Sequence, residues 1–188
     1  KEMRLKVPKI FENTEENVVL KGDIFDSMKN IAVDFAYLDP PYGSNNEKMP
    51  PSRVRYASYY HVWATICKND KPPVFGAALR REDTSDRVAA TVFEEFRKDD
   101  DGHFIAVKAI EKLIQNVNAK YVALSYSSGG KATAEELNDI LNRHGKLIKT
   151  IELDYKKNVM ADMKWTNEWL RDAEEPNREF IFLIDKQA

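Results

Sequence analysis

Two consecutive prolines set directly behind an apolar run constrain this chain more than any other feature. Phe35-Ala36-Tyr37-Leu38 reads as a short buried strand, and Asp39-Pro40-Pro41-Tyr42 follows it without a spacer. Neither proline has an N–H to give to a ladder, and each holds φ at about −65°. The chain therefore leaves the strand abruptly and rigidly. It holds out one carboxylate, the carbonyls beside it and one aromatic ring. In an open α/β sheet, the crevice beyond the carboxyl ends of the strands is where ligands bind.

This arrangement suits chemistry on an exocyclic amino group. The lone pair of such a nitrogen is delocalised into its ring, so it is a poor nucleophile. Two acceptors aimed at its two N–H bonds, the Asp39 carboxylate and the Pro40 carbonyl, favour a pyramidal nitrogen and stabilise the positive charge that grows on it. Pro41 fixes the loop, and Tyr42 offers a face on which a base stacks.

Asp-Pro-Pro-Tyr, with Gly22-Asp23-Ile24-Phe25 before it and Ala123-Leu124-Ser125-Tyr126-Ser127-Ser128 after it, resembles the amino-methyltransferases. The chain is most similar to the D12-class N6-adenine DNA methylases of bacteria and phages, over roughly their catalytic half. The resemblance implies a Rossmann-like class I α/β fold and S-adenosylmethionine as cofactor. It implies double-stranded DNA as partner, with the target adenine flipped out of the duplex. It also implies Asp39, Pro40, Pro41 and Tyr42 as catalytic residues, and a cytoplasmic, nucleoid-associated setting in a restriction–modification system. In that family the turn at Asp23 and Ile24 faces the adenine ring of the cofactor, and Asp39 lies close to it. Enzymes of the same fold act on RNA bases or protein amides, so both stay open as substrates. A non-catalytic DNA-binding or assembly fragment is the third reading.

The formal charge of −2 over 188 residues does not advertise a nucleic-acid binder, so a DNA enzyme of this balance needs a local basic face. Candidates are Lys48, Arg53 and Arg55 in the polar loop after the motif, and the pair Lys156-Lys157 in a later polar connection. Tyr56, Tyr59, Tyr60 and Trp63 share one face of a helix expected to run to about Lys68. Trp63 is expected in the core, and Tyr59 and Tyr60 are candidates to line the pocket of an extruded base. The single cysteine, Cys67, excludes an internal disulfide and any multi-cysteine metal site, and is expected to be a small core residue. No metal constellation, signal peptide or membrane-length apolar run is visible.

Residues 1–16 read as a linker or the end of a preceding domain, and residues 17–188 as the catalytic part. Strands are expected at Asn17–Lys21, Asp34–Leu38, Tyr121–Tyr126, Leu147–Leu153 and Phe180–Ile184; the resemblance implies that the last two form the antiparallel end of the sheet. A short helix opens after Asp23, one follows Gly102 to about Asn116, and the capping box Thr133-Ala134-Glu135-Glu136 starts another. The charge-dense stretch 70–101 reads as an insert with a short amphipathic helix at Val88–Arg97 and a solvated face. His61, His103 and His144 need no special role, and Trp165 and Trp169 are expected to pack a long loop onto the body.

The family's Phe-x-Gly-x-Gly loop, which holds the methionine moiety of the cofactor, is absent from these residues. The start at Lys1 rather than Met points the same way, to a piece of something longer. The fold is therefore expected to be incomplete. Either the glycine-loop half lies elsewhere, or another chain covers the strand edges left open.

Overall fold

A computed structural model of the chain describes residues 7, 9–10, 12–42, 55–155 and 177–188. Lys48, Arg53, Lys156, Lys157, Trp165 and Trp169 lie outside the described residues. The fold is mixed α/β. Among the described residues its main sheet has four strands in the order β1 (Ala32–Leu38), β4 (Asn118–Ser127), β6 (Asn177–Asp185), β5 (Lys146–Tyr155). β1 and β4 run parallel, with Leu38 opposite Leu124. β6 is antiparallel to both its neighbours, so the expected antiparallel end of the sheet is present.

Two helices complete the core. α4 (Ile105–Asn116) buries Ala106, Ala109, Ile110, Leu113 and Ile114, a stripe at helical spacing. α5 (Ala134–His144) buries Leu137, Ile140 and Leu141. Both stripes join one cluster with Val122, Leu124, Tyr126, Phe180, Phe182 and Ile184, which alternate along β4 and β6 and so share one face of the sheet. Full burial of a side chain such as Leu124 contributes about 2 kcal/mol.

The helix ends explain where these elements start and stop. Thr133 Oγ1 accepts from the Glu136 N–H and the Glu136 carboxylate accepts from the Thr133 N–H, so the predicted capping box is formed. α5 ends at Gly145, where a Cβ would stand 2.6 Å from the Asp185 carbonyl oxygen. Only glycine lets the chain pass there into β5. The Lys186 ammonium donates to the carbonyls of Ile114, Gln115 and Val117, satisfying the last turn of α4.

The opposite face of the sheet is uncovered among the described residues. Val33, Phe35 and Tyr37 alternate along β1 and are 43%, 53% and 56% exposed, and Ile151 and Leu153 continue that face on β5. Parallel strands are ordinarily covered on both faces. Among the described residues, no strand pairs with the outer edge of β1.

Four expectations are corrected. Asn17–Lys21 is not a strand: with no neighbour among the described residues to complete a ladder, Val18, Val19 and Leu20 stand exposed. Val88–Arg97 is not one helix but a short α3 (Asp86–Ala89) followed by a 3₁₀ turn, Val92–Glu94, capped by Thr91. Trp63 is 61% exposed and Cys67 is exposed, because α2 (Tyr56–Lys68) buries none of its residues among the described ones. Its predicted helical character holds, but Tyr59, Tyr60 and Trp63 of its aromatic stripe stay exposed, while Tyr56 is half-buried against Tyr42.

The segment after α2 is more than a solvated face. It opens with a hairpin, β2 (Val74–Phe75) and β3 (Arg80–Arg81). The Arg81 guanidinium is buried between the carboxylates of Asp70 and Asp83 and also donates to Thr65 Oγ1 on α2. Charge-assisted, forked bonds of this kind hold geometry as well as energy. They fix the hairpin to the helix. No helix of the described residues is long and apolar enough to cross a membrane.

Candidate active site

β1 and β4 end at the same edge of the sheet because they pair in parallel register, Leu38 against Leu124. The Asp39-Pro40-Pro41-Tyr42 exit therefore lies beside Ser125-Tyr126-Ser127, the end of β4. Asp39 is exposed, Pro40 is buried, and Pro41 and Tyr42 are half-buried. The carboxylate is presented to solvent while the loop beneath it is anchored.

Tyr42 is the best-defined member of the site. Its ring centroid lies 5.3 Å from that of Tyr126 and 5.8 Å from that of Tyr56, the second nearly edge-on at 82°. Its hydroxyl donates to Glu179 Oε1 on β6 at 3.4 Å. Tyr126 is almost wholly buried, and its Oη accepts from the Ala132 N–H. Tyr56 stacks on Tyr60 at 5.8 Å with the planes 5° apart. Burial pushes the phenols of Tyr42, Tyr56 and Tyr126 up from their ordinary value. All three stay neutral at any physiological pH, so the wall offers O–H donors and ring faces rather than a base.

The turn before β1 is capped from within. Asp23 accepts from the Phe25 N–H at 2.8 Å and starts α1 (Ile24–Ser27), which continues as a 3₁₀ turn to Asn30. The Asp23 carboxylate and Ile24 are both exposed. A carboxylate beside an exposed apolar side chain fits an adenine ring, whose amino group needs an acceptor and whose face needs an apolar cover. Phe25 points inward, stacked on Phe93 at 5.7 Å and 20°, with the Lys112 ammonium 4.7 Å from its ring centroid.

Of the basic and aromatic candidates, Tyr59 and Tyr60 are exposed on α2 near the motif. Arg55 precedes α2 and is only 9% exposed, so a phosphate would have to enter the mouth to meet it. No group of His, Cys, Asp or Glu able to hold a metal ion occurs among the described residues.

Sequence reasoning missed Glu179, Phe93 and Glu94. Glu94 is 4% exposed, and its Oε1 accepts from the Tyr56 N–H at 2.7 Å. It sat within a charged run whose period gave no sign of burial. Tyr126 and Ser127 carried a signal, since both belong to the strand quoted with the motif, but their contact with Tyr42 needed the parallel register.

The profile of D12 class N6 adenine-specific DNA methyltransferases matches residues 1–128 of the chain. The chain is 27% identical over 132 residues to the modification methylase StsI of Streptococcus sanguinis, which covers 70% of this chain and 17% of that one. It is 26% identical over 184 residues to the type II methyltransferase M.FokI of Planomicrobium okeanokoites, covering 98% of this chain and 25% of that one. A third relative is the type II methyltransferase M.NlaIII of Neisseria lactamica, 26% identical over 151 residues, with 80% of this chain and 39% of that one covered. The matched region thus spans between about a sixth and two fifths of these relatives' lengths. No solved structure matches the chain significantly.

Proposed function

The chain belongs to the D12 class N6 adenine-specific DNA methyltransferase family, and from that premise we propose that it is the part of such an enzyme that holds the target base. The reaction is transfer of a methyl group to the N6 amino group of adenine in double-stranded DNA. The relatives named as modification methylases support a restriction–modification setting. One observation carries the reading: the parallel β1–β4 pair brings an exposed Asp39, on a loop anchored by buried Pro40, beside the Tyr42–Tyr126 aromatic floor.

The residues act in order of their geometry. An adenine extruded from the duplex lays its ring against Tyr42. The Asp39 carboxylate and the Pro40 carbonyl accept from the two N–H bonds of its amino group. Pro41 keeps both acceptors from relaxing away. As the nitrogen becomes positive, the fixed acceptors stabilise it more than they stabilised the neutral amine. Bound S-adenosylmethionine supplies an electrophilic methyl group. Asp23 and Ile24 would hold its adenine ring, with Asp39 nearby. Tyr59 and Tyr60 border the mouth, and Lys48, Arg53, Arg55, Lys156 and Lys157 are the phosphate contacts proposed for the duplex.

The sheet is of the class I methyltransferase type and incomplete in this reading. The open edge of β1 and the uncovered face bearing Phe35 and Tyr37 receive the half with the glycine loop, from the same polypeptide or from a second chain. The same uncovered face favours a second reading, an assembly module that keeps the motif without the cofactor half.

The test is methyl transfer by the natural protein to a panel of duplex DNA, RNA and protein, with Asp39→Ala beside the parent. Labelling of duplex DNA over the others, lost by at least about a hundredfold in Asp39→Ala at unchanged melting temperature, is expected. Near-normal turnover by Asp39→Ala would sink the mechanism. Labelling of RNA or protein instead would replace the substrate.

A further inference from the structure

The 3₁₀ turn Val92–Glu94 touches both halves of the proposed site. Phe93 is buried and stacks on Phe25, the residue next to Ile24 in the cofactor turn. Glu94 is buried too, and its carboxylate receives the N–H of Tyr56, the first residue of α2. Tyr56 in turn sets its ring edge against Tyr42. Two adjacent side chains on one short turn thus reach the cofactor side and the base side.

We propose that Phe93 and Glu94 are positioning residues, a strut that fixes the base-side aromatic wall relative to the cofactor turn. The inference rests on the reading of the site given above and deepens it. Neither residue reaches the reacting atoms. Glu94 acts through the backbone of Tyr56, and Phe93 acts through the ring of Phe25. An anionic acceptor at the start of a 13-residue helix holds that end more firmly than a neutral one, because the first N–H groups have no partners within the helix. Without it the first turn of α2 loosens and Tyr56 no longer backs Tyr42. A ring that must receive a flipped base then stands in several places rather than one. The cofactor turn is not touched by that loss, since its contact runs through Phe93.

The geometry predicts a split. Glu94→Ala raises KM for duplex DNA and lowers kcat, together about tenfold to a hundredfold, as expected for a displacement of roughly 1 Å in a positioned group. Its affinity for S-adenosylmethionine changes less than about twofold, which also shows that the variant has folded. Glu94→Gln keeps an acceptor and recovers most of the loss. Phe93→Ala does the reverse, weakening cofactor affinity more than DNA engagement.

The experiment uses the natural protein. Steady-state methyl transfer is combined with 2-aminopurine fluorescence at the target position, which reads base extrusion, and with calorimetric titration of S-adenosylmethionine. Reduced extrusion in Glu94→Ala, restored in Glu94→Gln, at unchanged cofactor affinity supports the strut. Parallel loss of cofactor affinity, extrusion and melting temperature in Glu94→Ala would reduce Glu94 to a structural residue and overturn it. Unaltered kinetics in both Glu94 variants overturns it as well. A parent protein that transfers no methyl group to adenine overturns the functional reading and this inference with it, so the two failures are told apart by the parent alone.

Discussion

Gly130 offers a test of how the floor of the site is packed. A methyl group built on Gly130 would lie 2.5 Å from Tyr126 Cε1 and 2.7 Å from its Cζ and Oη. Ordinary carbon contacts lie at about 3.5–4.0 Å, so ring and turn must part by roughly 1 Å. The backbone at Gly130 is not left-handed, so the effect is steric. The Tyr126 ring has little room, since it is buried, Tyr42 is 5.3 Å from it, and its Oη holds the Ala132 N–H. Overpacking of this kind costs about 1–3 kcal/mol, and a strained or broken hydrogen bond adds about 1 kcal/mol. Against this, alanine restricts the unfolded chain and returns about 0.4–1 kcal/mol. Overpacking wins, and the net loss is about 1–3 kcal/mol. For a chain of this size that lowers Tm by about 3–10 °C. The assay is thermal unfolding of the natural protein as Gly130→Ala, Tyr126→Leu and the double variant. Leucine removes the three clashing atoms, so the double variant should lose less than the sum of the singles. Strict additivity, or an unchanged Tm in Gly130→Ala, would refute the packing argument. Because Tyr126 backs Tyr42, the single variant should also weaken target-base binding before it abolishes folding.

The Lys186 ammonium caps three carbonyls at the end of α4. Lys186→Met should therefore destabilise the protein by about 1–3 kcal/mol in denaturant melts, with the α4 C-terminal amides exchanging faster. Hydrogen bonds from Arg81, and its charge, hold the carboxyls of Asp83 and Asp70 below the usual carboxylate range. With folded values depressed, their contribution is complete above the unfolded value of about 3.9 and is lost as pH falls through the folded values. The hairpin carrying Arg81 should stay on α2 at about pH 4 and come away only as pH falls well below that, through the depressed values, seen as proteolysis near residue 75, and Asp83→Asn should show the loosening already at about pH 7. The isolated chain should bind S-adenosylmethionine weakly or not at all, and tight binding in titration calorimetry would contradict that.

The elements whose signals are local were legible in the sequence. The Thr133–Glu136 capping box, the α4 stripe and the alternation in β4 each carry their cause within a dozen residues. The aromatic stripe of α2 was legible as a helix but misleading about burial, because periodicity reports a face and not what lies opposite it. Trp63 and Cys67 were assigned to a core that, among the described residues, does not reach them. Asn17–Lys21 has strand composition, but strand formation needs a partner ladder, a property of the assembly rather than of the segment. Asp39–Tyr42 was singled out as a candidate from its chemistry. Of the residues that support it, Tyr126 and Glu179 lie 84 and 137 positions beyond Tyr42, and Glu94 lies 38 beyond Tyr56; only the register of β1, β4 and β6 unites the first two with the motif.

The character of the aromatic wall bears on the reaction proposed. Methyl transfer to an amine moves positive charge from the donor to the nitrogen, so the site needs an anionic acceptor at the amine and no base strong enough to compete for it. Tyr42, Tyr56 and Tyr126 are held neutral by burial, and Glu179 is engaged by the Tyr42 hydroxyl. That leaves the exposed Asp39 carboxylate as the anion of the motif itself, on a loop that two prolines prevent from retreating. A wall of ionised phenolates would repel the DNA backbone and would soften the field at Asp39. A wall of neutral rings stacks a base and leaves the field to one carboxylate. On this argument the phenols are buried for an electrostatic reason as well as a packing one. Replacing Tyr56 by phenylalanine should then leave the pH profile of methyl transfer unchanged, whereas loss or displacement of an alkaline limb present in the parent would mean that the Tyr56 phenol takes part in proton transfer.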